Sequence, residues 1–390
     1  MLNLLFTIQL IFLIWLACSV TYVLLYAVTG YFYKTNQQRK VDNNPYPKAV
    51  VLIPAYKEDS VICQVAESAI AHPYKGQKEV VIIADQLQAA TMNRLSKMDL
   101  TLVEVKFEKS TKAKALNFAM STLEDETFDM AMILDADNLM KENALNCMAE
   151  EYRSGKLAIQ GNRMAKNMNT SFAFLDAISE GINNHIYCKG PNAVNLSSRL
   201  VGSGMAFDYS LFKALMAEID AIGGFDKELE LALIEQKVKI YYASDAIVFD
   251  EKVSKPDDFA NQRTRWISAQ YQFLWKKLPK ALSSLISGNF DYFYKTMQLV
   301  LPPRILMPFF LLLITLISWF FELQNLAIIA ALFLALNVLA YSIAIPKMFW
   351  NKQMVNAFLS LPRALFITVS CLFKLSKAKK TFIHTPHGND

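Results

Sequence analysis

The sequence is poor in the residues that build zinc sites and disulfide frameworks. Its five cysteines lie far apart and form no C-x-x-C pair, so neither kind of site is expected. Histidine is also scarce, and the pair near the C-terminus, His384 and His387, has no assignable role. The net charge of +5 comes without a basic stripe of interleaved aromatic residues, so no nucleic acid is expected as a partner.

Charged residues are absent from the first 33 positions. The apolar run from Leu4 to Tyr33 exceeds the roughly 20 residues that cross a bilayer. A cleaved signal peptide fits poorly, because there is no positive n-region and no small-residue cleavage site. Residues 1–33 are therefore expected to form a transmembrane anchor.

Two more apolar stretches, Ile305–Phe321 and Leu326–Ile345, predict a pair of transmembrane helices joined by a short turn. Lysine and arginine residues follow both the first anchor and this pair, which by the positive-inside rule places those segments in the cytoplasm. We expect a multi-pass protein of the inner (cytoplasmic) membrane whose residues 34–295 form a cytoplasmic domain. The basic residues concerned are Lys34, Arg39, Lys40, Lys347, Lys352, Lys374, Lys377, Lys379 and Lys380.

A fourth apolar stretch, Met354–Phe373, is interrupted by Pro362 and Arg363. If it crossed the membrane, it would export the basic tail 374–390. Residues 296–373 are therefore predicted to hold two transmembrane helices and one interfacial helix, a further span being the alternative. Anionic membrane lipids are the expected partners of the nearby lysines.

The cytoplasmic segment contains continuous apolar runs separated by helical stretches. This pattern predicts an α/β domain with a mostly parallel sheet covered on both faces. In such sheets, ligands gather at the carboxyl ends of the strands. The predicted strands are 49–56, 79–85, 100–107, 130–137, 156–162 and 202–208, with one or two more in 238–250.

Two acidic residues close the fourth run, Met130–Asp137. Asp135 and Asp137 would share one face of a strand, and paired carboxylates suit Mg²⁺ or Mn²⁺ bridging to a diphosphate. Turn formation or helix capping are the alternatives.

Several motifs follow one another along the chain. They are Ile53-Pro54-Ala55-Tyr56-Lys57-Glu58, Asp85, Lys112 to Asn117, Asp135-Ala136-Asp137, Gly202-Ser203-Gly204, the acidic helix start at Glu228, and Gln262-Arg263-Thr264-Arg265-Trp266. In this order they make the chain resemble the membrane-anchored family 2 glycosyltransferases, which include cellulose, chitin and hyaluronan synthases. The resemblance covers about residues 48–270 and implies a GT-A-type nucleotide-sugar-binding domain.

The resemblance also implies roles for individual residues. Metal binding falls to Asp135 and Asp137, and the acceptor is placed near Gly202, Ser203, Gly204 and Trp266. Nucleotide-sugar contacts fall to Ala55, Tyr56, Glu58, Asp85, Lys112, Asp135, Gln262, Arg265 and Trp266.

The catalytic base implied by the resemblance falls where this chain departs from the family pattern, since many relatives carry Thr-Glu-Asp where this chain has Lys227-Glu228-Leu229-Glu230. Glu228 and Glu230 cannot share one helix face, and Glu228 is preferred as the base that acts with Asp137. Favourable placement at the positive end of the helix dipole is the alternative role. A second departure is Lys57, where asparagine is usual.

These features predict an inverting, metal-dependent transfer of a sugar from a nucleotide sugar, with UDP implied by the resemblance. The acceptor is a growing polysaccharide, favoured by the Q-x-x-R-W signature, or alternatively a lipid or polyprenyl acceptor that receives one sugar. Three spans make a thin conduit, so polymer export would need an oligomer or a partner.

Two other classes of protein compete with this interpretation. A transporter or channel with a regulatory nucleotide-binding domain would place ionisable residues in its spans, for which Arg304 and Arg363 are the only candidates. A nucleotidyltransferase would also use paired aspartates and Mg²⁺, but would leave Gln262 to Trp266 unexplained.

Overall fold

The computed structural model describes residues 2–34, 45–123, 128–219, 224–253 and 256–374. Arg39, Lys40 and the basic tail beyond residue 374, including His384 and His387, lie outside the described residues.

The predicted cytoplasmic domain, residues 34–295, is called the catalytic region below because of the resemblance described above. It is built on one eight-stranded sheet with the order β3-β2-β1-β4-β7-β6-β8-β5. The strands are β1 Ala49–Tyr56, β2 Lys78–Asp85, β3 Thr101–Val105, β4 Met130–Ile133, β5 Leu139–Met140, β6 Ala158–Ala165, β7 Met205–Asp208 and β8 Ile240–Asp250. Strand β1 pairs in parallel with β2 and β4, β2 with β3, and β6 with β8. Strand β7 runs antiparallel to β4 and β6, and β5 antiparallel to β8.

The prediction of a mostly parallel sheet is therefore wrong, and the sheet is mixed. Continuous apolar runs report that a strand is buried on both faces. They carry no information on its direction, which depends on where the intervening helices return the chain.

A second correction concerns the paired aspartates. Strand β4 ends at Ile133, so Asp135 and Asp137 lie in the following turn and not on a strand face. The amide N–H of Asp135 donates to Asn138 Oδ1 at 3.1 Å, and the amide N–H of Asn138 donates to the Asp135 carbonyl at 3.1 Å. Turn chemistry thus aims the carboxylates.

Helices cover both faces of the sheet because alternate residues of each buried strand point to opposite sides. Val50 and Leu52 of β1 face one apolar cluster, and Val51 and Ile53 face another. The helices are α1 Leu2–Thr29, α2 Ile62–Ala71, α3 Ala89–Leu95, α4 Lys112–Thr122, α5 Ala144–Arg153, α6 Ser171–Asn183, α7 Gly190–Ala193, α8 Tyr209–Ala217, α9 Phe225–Glu235, α10 Pro256–Ile286, α11 Phe290–Gln298, α12 Leu306–Phe320, α13 Gln324–Ala344, α14 Lys352–Leu359 and α15 Leu361–Lys374.

Two apolar helices, Asn3–Phe32 and Gln324–Ala344, are long enough to cross a membrane. Helix α12 has 15 residues, and at 1.5 Å per residue it spans about 22 Å, less than the roughly 30 Å hydrocarbon core. Segments Lys352–Leu359 and Leu361–Phe373 meet at a 44° bend and would count as a third span only if taken together. Ala364 of α15 packs against Phe172 and Phe259; whether the segment lies in the interface stays a prediction.

Helix α1 joins the apolar helices to the catalytic region. Its middle turns pack against α12 and α13 through Leu13, Leu16 and Val20. Its second half reaches α11, where the Tyr22 hydroxyl donates to the Tyr294 hydroxyl at 2.9 Å and accepts from Gln298 Nε2 at 2.8 Å. The predicted boundary at residues 295/296 falls inside α11.

Candidate active site

A single large cavity of about 840 Å³ begins at the carboxyl ends of β1, β2 and β4. It passes the loop before β7 and the first turn of α9, then crosses α10 and ends against α12, α13 and α15. The predicted positions that line it are Ala55, Tyr56, Glu58, Asp85, Lys112, Asp135, Asp137, Gly202, Gln262, Arg265 and Trp266. The expectation that ligands bind at the carboxyl ends of the strands thus agrees with the position of the cavity. The helices extend the cavity toward the apolar helices α12, α13 and α15.

Three carboxylates converge near the middle of this cavity. Single oxygen atoms of Asp135, Asp137 and Asp250 lie within 4.8 Å of one another. Asn138 Nδ2 donates to both Asp137 Oδ1 and Asp250 Oδ1, at 3.1 and 3.2 Å, and so ties the turn after β4 to the end of β8. A set of hard oxygen donors fits Mg²⁺ or Mn²⁺.

The edge of the cavity at β1 and β2 is acidic and enclosed. Glu58 and Asp85 are both buried, and burial raises the pKa of the Asp85 carboxyl, while a hydrogen bond from Ser110 and the charge of Lys57 oppose that shift. Lys57 itself has a φ of +57°, a conformation that asparagine adopts more readily than lysine. The departure from the usual asparagine therefore falls at a strained position.

Lys112, at the start of α4, is held over the carboxylate site. Its ammonium pairs with Asp135 and donates to the Gly202 carbonyl at 2.8 Å. Gly202 has a φ of +88°, which lets the loop turn its carbonyl to this lysine. Of the predicted acceptor-binding loop only Gly202 lines the cavity. Ser203 is fully buried, and the Gly204 amide donates to the Ile133 carbonyl at 2.8 Å.

Helix α10 carries Gln262, Arg265 and Trp266 into the cavity wall. The neighbouring Arg263 is committed to an ion pair with Asp176 and lies over the Trp266 ring, 4.6 Å from its centroid. Burial lowers the pKa of the Arg265 guanidinium, and the charges of Asp135 and Asp226 oppose that shift. Arg265 thus faces the acids at the centre of the cavity.

The predicted base, Glu228, is placed away from this centre. It does not line the cavity, and its carboxylate lies 3.3 Å from Lys276 Nζ, whose side chain is 65% exposed. Asp226, two residues earlier in the first turn of α9, does line the cavity. Its Cγ lies 4.0 Å from the position that a Cβ on Gly202 would occupy. Of these two carboxylates, only Asp226 lines the cavity.

The protein-family model described as "Glycosyltransferase like family 2" matches residues 47–269 of this chain. That is more than half of its 390 residues. The chain belongs to glycosyltransferase family 2. No curated protein matches this glycosyltransferase in sequence at a significant level.

The chain is similar to solved structures at low sequence identity. A mannosyltransferase from Pyrobaculum calidifontis, PcManGT, determined with GDP-Man and Mn²⁺, is 17% identical with a TM-score of 0.53, and the match covers 94% of this glycosyltransferase and 99% of that chain. Glucosyl-3-phosphoglycerate synthase from Mycobacterium tuberculosis, determined with Mn²⁺, UDP and phosphoglyceric acid, is 13% identical with a TM-score of 0.39, over 54% of this chain and 73% of its own. The first of these supports a GT-A-like fold.

Sequence reasoning missed the candidate metal ligand Asp250, which lies in a buried ion network. Lys252 Nζ lies 2.7 Å from Asp250 and 3.4 Å from Glu180, and Arg163 lies 3.1 Å from Glu180. Burial would raise the pKa of Glu180, but Arg163 and Lys252 lower it to about 2. The one available signal was Asp250 at the end of the apolar run 246–249, the same arrangement that flagged Asp85.

Proposed function

We propose that this family 2 glycosyltransferase moves a sugar from a nucleotide sugar, a UDP-sugar by sequence resemblance, to an acceptor at the cytoplasmic face of a membrane, with inversion at the anomeric carbon. The observation that carries the proposal is the convergence of Asp135, Asp137 and Asp250 in one cavity with Lys112 and Arg265.

The leaving nucleoside diphosphate accumulates negative charge as its bond to the sugar breaks, and preorganised cations stabilise that charge. A divalent cation held by Asp135, Asp137 and Asp250 would supply Lewis-acid neutralisation of the diphosphate. Lys112 and Arg265 add donors beside the same carboxylate centre, and the planar guanidinium suits two phosphate oxygens at once.

The acceptor hydroxyl must lose its proton as it attacks the sugar from the side opposite the leaving group. Asp226 is the carboxylate proposed to take it, a role worth about 10²- to 10⁴-fold in rate. Glu58 and Asp85, at the ends of the first two strands, are proposed to bind the nucleoside, and Trp266 offers a flat apolar face to a sugar ring.

The membrane arrangement is part of the proposal. Residues 1–33 and the helices in 296–373 would anchor residues 34–295 on the cytoplasmic side, and the exposed Lys34 that follows α1 agrees with that orientation. Arg304 hydrogen-bonds to the Ser179 carbonyl at 3.0 Å, and Arg363 lies over the Phe172 ring, 5.7 Å from its centroid. Both arginines thus contact the catalytic region, which weighs against a role in a transport pathway.

Two acceptors are candidates. Elongation of a polysaccharide remains the prediction from the Q-x-x-R-W signature, and its need for an oligomer or partner remains a prediction with it. Single transfer to a lipid-linked acceptor is supported by the apolar wall at the far end of the cavity, to which Ile305, Val338 and Leu361 contribute.

The test is to incubate the purified full-length protein with a panel of nucleotide sugars and Mn²⁺, with and without a chelator. Release of nucleoside diphosphate that stops with the chelator supports the proposal. Release of pyrophosphate would indicate a nucleotidyltransferase instead. Metal-independent release, or none with any donor, would overturn it.

A further inference from the structure

Several cations besides Lys112 and Arg265 line the same cavity, and three of them, Arg199, Lys227 and Lys295, form one group. We call these three residues the basic chamber. They come from the segment before β7, the first turn of α9 and α11, respectively. Arg199 and Lys295 each oppose the protonation of Lys227, so the three act electrostatically as one cluster.

The charge of the basic chamber is only partly balanced. Lys295 is 1% exposed, and among the described residues no group hydrogen-bonds to its Nζ. The nearest carboxylate oxygen, Glu230 Oε1, lies 3.7 Å away, while the other Glu230 oxygen already accepts from the Leu200 amide at 2.6 Å. Burial lowers the pKa of both Lys295 and Lys227.

A buried ammonium without hydrogen-bond partners is costly to the folded state. An anionic ligand entering the cavity would supply both the missing charge and the missing acceptors. A phosphate group, with several acceptor oxygens, matches a lysine pair and an arginine better than a neutral hydroxyl does.

The walls beside the basic chamber show what such an anion would be attached to. The cavity continues from Lys295 along apolar residues of the segment before α12 and of α13, α14 and α15, among them Leu301, Ile305, Val338, Ile345, Phe358 and Leu361. A cationic pocket that opens onto an apolar wall is complementary to an amphiphile with an anionic head.

We infer that the basic chamber binds the phosphate head group of a membrane amphiphile, whose hydrocarbon chain lies along α13 and α15. This inference rests on the proposed function and names the acceptor class as a phosphate-bearing lipid. The donor phosphates have their own partners, Lys112 and Arg265, at the carboxylate centre, so the chamber constitutes a second anion site.

Binding can be tested without turnover. The full-length protein in non-ionic detergent is titrated with farnesyl phosphate, with farnesol and with inorganic phosphate, and thermal unfolding reports the apparent affinity. We expect farnesyl phosphate to bind at least about tenfold more tightly than either of the other probes, since only it supplies both anion and chain. If farnesol bound as tightly as farnesyl phosphate, the phosphate would not be recognised and the inference would fail. If inorganic phosphate bound as tightly, the hydrocarbon chain would contribute nothing, and the inferred ligand would not be a lipid.

The matched variants are Lys295→Met and Lys227→Met, with Lys280→Met as the control, since Lys280 pairs with Glu235 at the surface. Each chamber variant should weaken farnesyl phosphate binding about tenfold or more and leave farnesol binding unchanged, while the control changes neither. Lys295→Met also leaves the buried Glu230 without this neighbouring cation, so we expect the variant to be less stable than the parent. Should it fail to fold, the binding measured with Lys227→Met, at a partly buried position, tests the inference.

Titration with UDP and Mn²⁺ separates this inference from the proposed function. Binding of UDP should be unchanged in Lys295→Met if the chamber serves the acceptor. A loss of UDP binding as large as the loss of farnesyl phosphate binding would assign the chamber to the donor and overturn the inference. Failure of the proposed function would show instead as the absence of diphosphate release in the parent protein.

Discussion

The two ends of the cavity differ in charge and in how the chain builds them. At the donor end, acidic residues follow β1, β2 and β4 in neighbouring parallel strands, so each ligand stands beside its own strand signal. At the membrane end, cations from distant segments meet beside apolar helices. The difference teaches that short motifs mark the proposed donor site, whereas the proposed acceptor site is assembled by long-range packing.

The largest expected effect is at the carboxylate centre. Asp137→Asn and Asp250→Asn should each lower the rate of diphosphate release about 10³-fold, since each removes a charged metal ligand. Mn²⁺ affinity, measured by titration calorimetry, should fall in parallel. Asp245→Asn on the same strand β8 is the control, because Asp245 is exposed. Full activity in Asp250→Asn would show that Asp250 is not a metal ligand and would leave Asp135 and Asp137 as the proposed pair.

The next largest expected effect is on turnover, at the proposed base Asp226. Asp226→Asn should lower turnover by about a hundredfold or more, with little change in donor binding, because the variant keeps the shape but cannot accept a proton. Glu228→Gln should change turnover little, since Glu228 faces Lys276 outside the cavity. The opposite ranking of the two variants would restore Glu228 as the base.

The ion network behind Asp250 should affect stability more than chemistry. Glu180→Gln leaves Arg163 and Lys252 short of a buried counter-charge, and we expect a loss of about 3 kcal/mol in the free energy of unfolding. Glu235→Gln, at an exposed pair with Lys280, should cost less than about 0.5 kcal/mol. Equal costs in denaturant titrations would show that the buried network contributes nothing special.

The same network fixes a direction for the pH dependence. The pKa of Glu180 is lowered from 4.5 to about 2 in the folded protein. A carboxyl group whose pKa is lower in the folded than in the unfolded protein stabilises the fold at pH values above its unfolded-state pKa. The contribution is therefore complete at neutral pH and is lost as the pH falls from about 4.5 towards 2. Parent and Glu180→Gln stabilities should converge over that interval, and a constant difference would contradict the assignment.

The smallest effect concerns the strained donor loop. Lys57→Asn should stabilise the fold by about 0.5–1 kcal/mol, because asparagine tolerates a positive φ better than lysine. Lys237→Asn, at a φ of +60° outside the cavity lining, is the matched control and should gain a similar amount. If only the control gains stability, Lys57 makes a compensating contact at the donor edge.

Much of the donor end could be predicted from the sequence. The runs ending at Tyr56 and Asp85 are strands with nearly the expected bounds, because burial and β-propensity act locally. The run to Asp137 stops being a strand at Ile133, since the turn residue Asn138 competes for the backbone. Asp226 and Asp250 were missed because each matters only through neighbours far away in the chain.

By itself, the sequence determined the long apolar helices, the positions of the buried strands and the acidic pair that follows β4, since each depends on residues adjacent along the chain. Only the tertiary structure decided the mixed strand directions, the turn that holds the acidic pair, the approach of Asp250 to it, the position of Asp226 in the cavity, and the meeting of Arg199, Lys227 and Lys295. These depend on contacts between residues tens of positions apart, and such contacts form only when the whole chain packs.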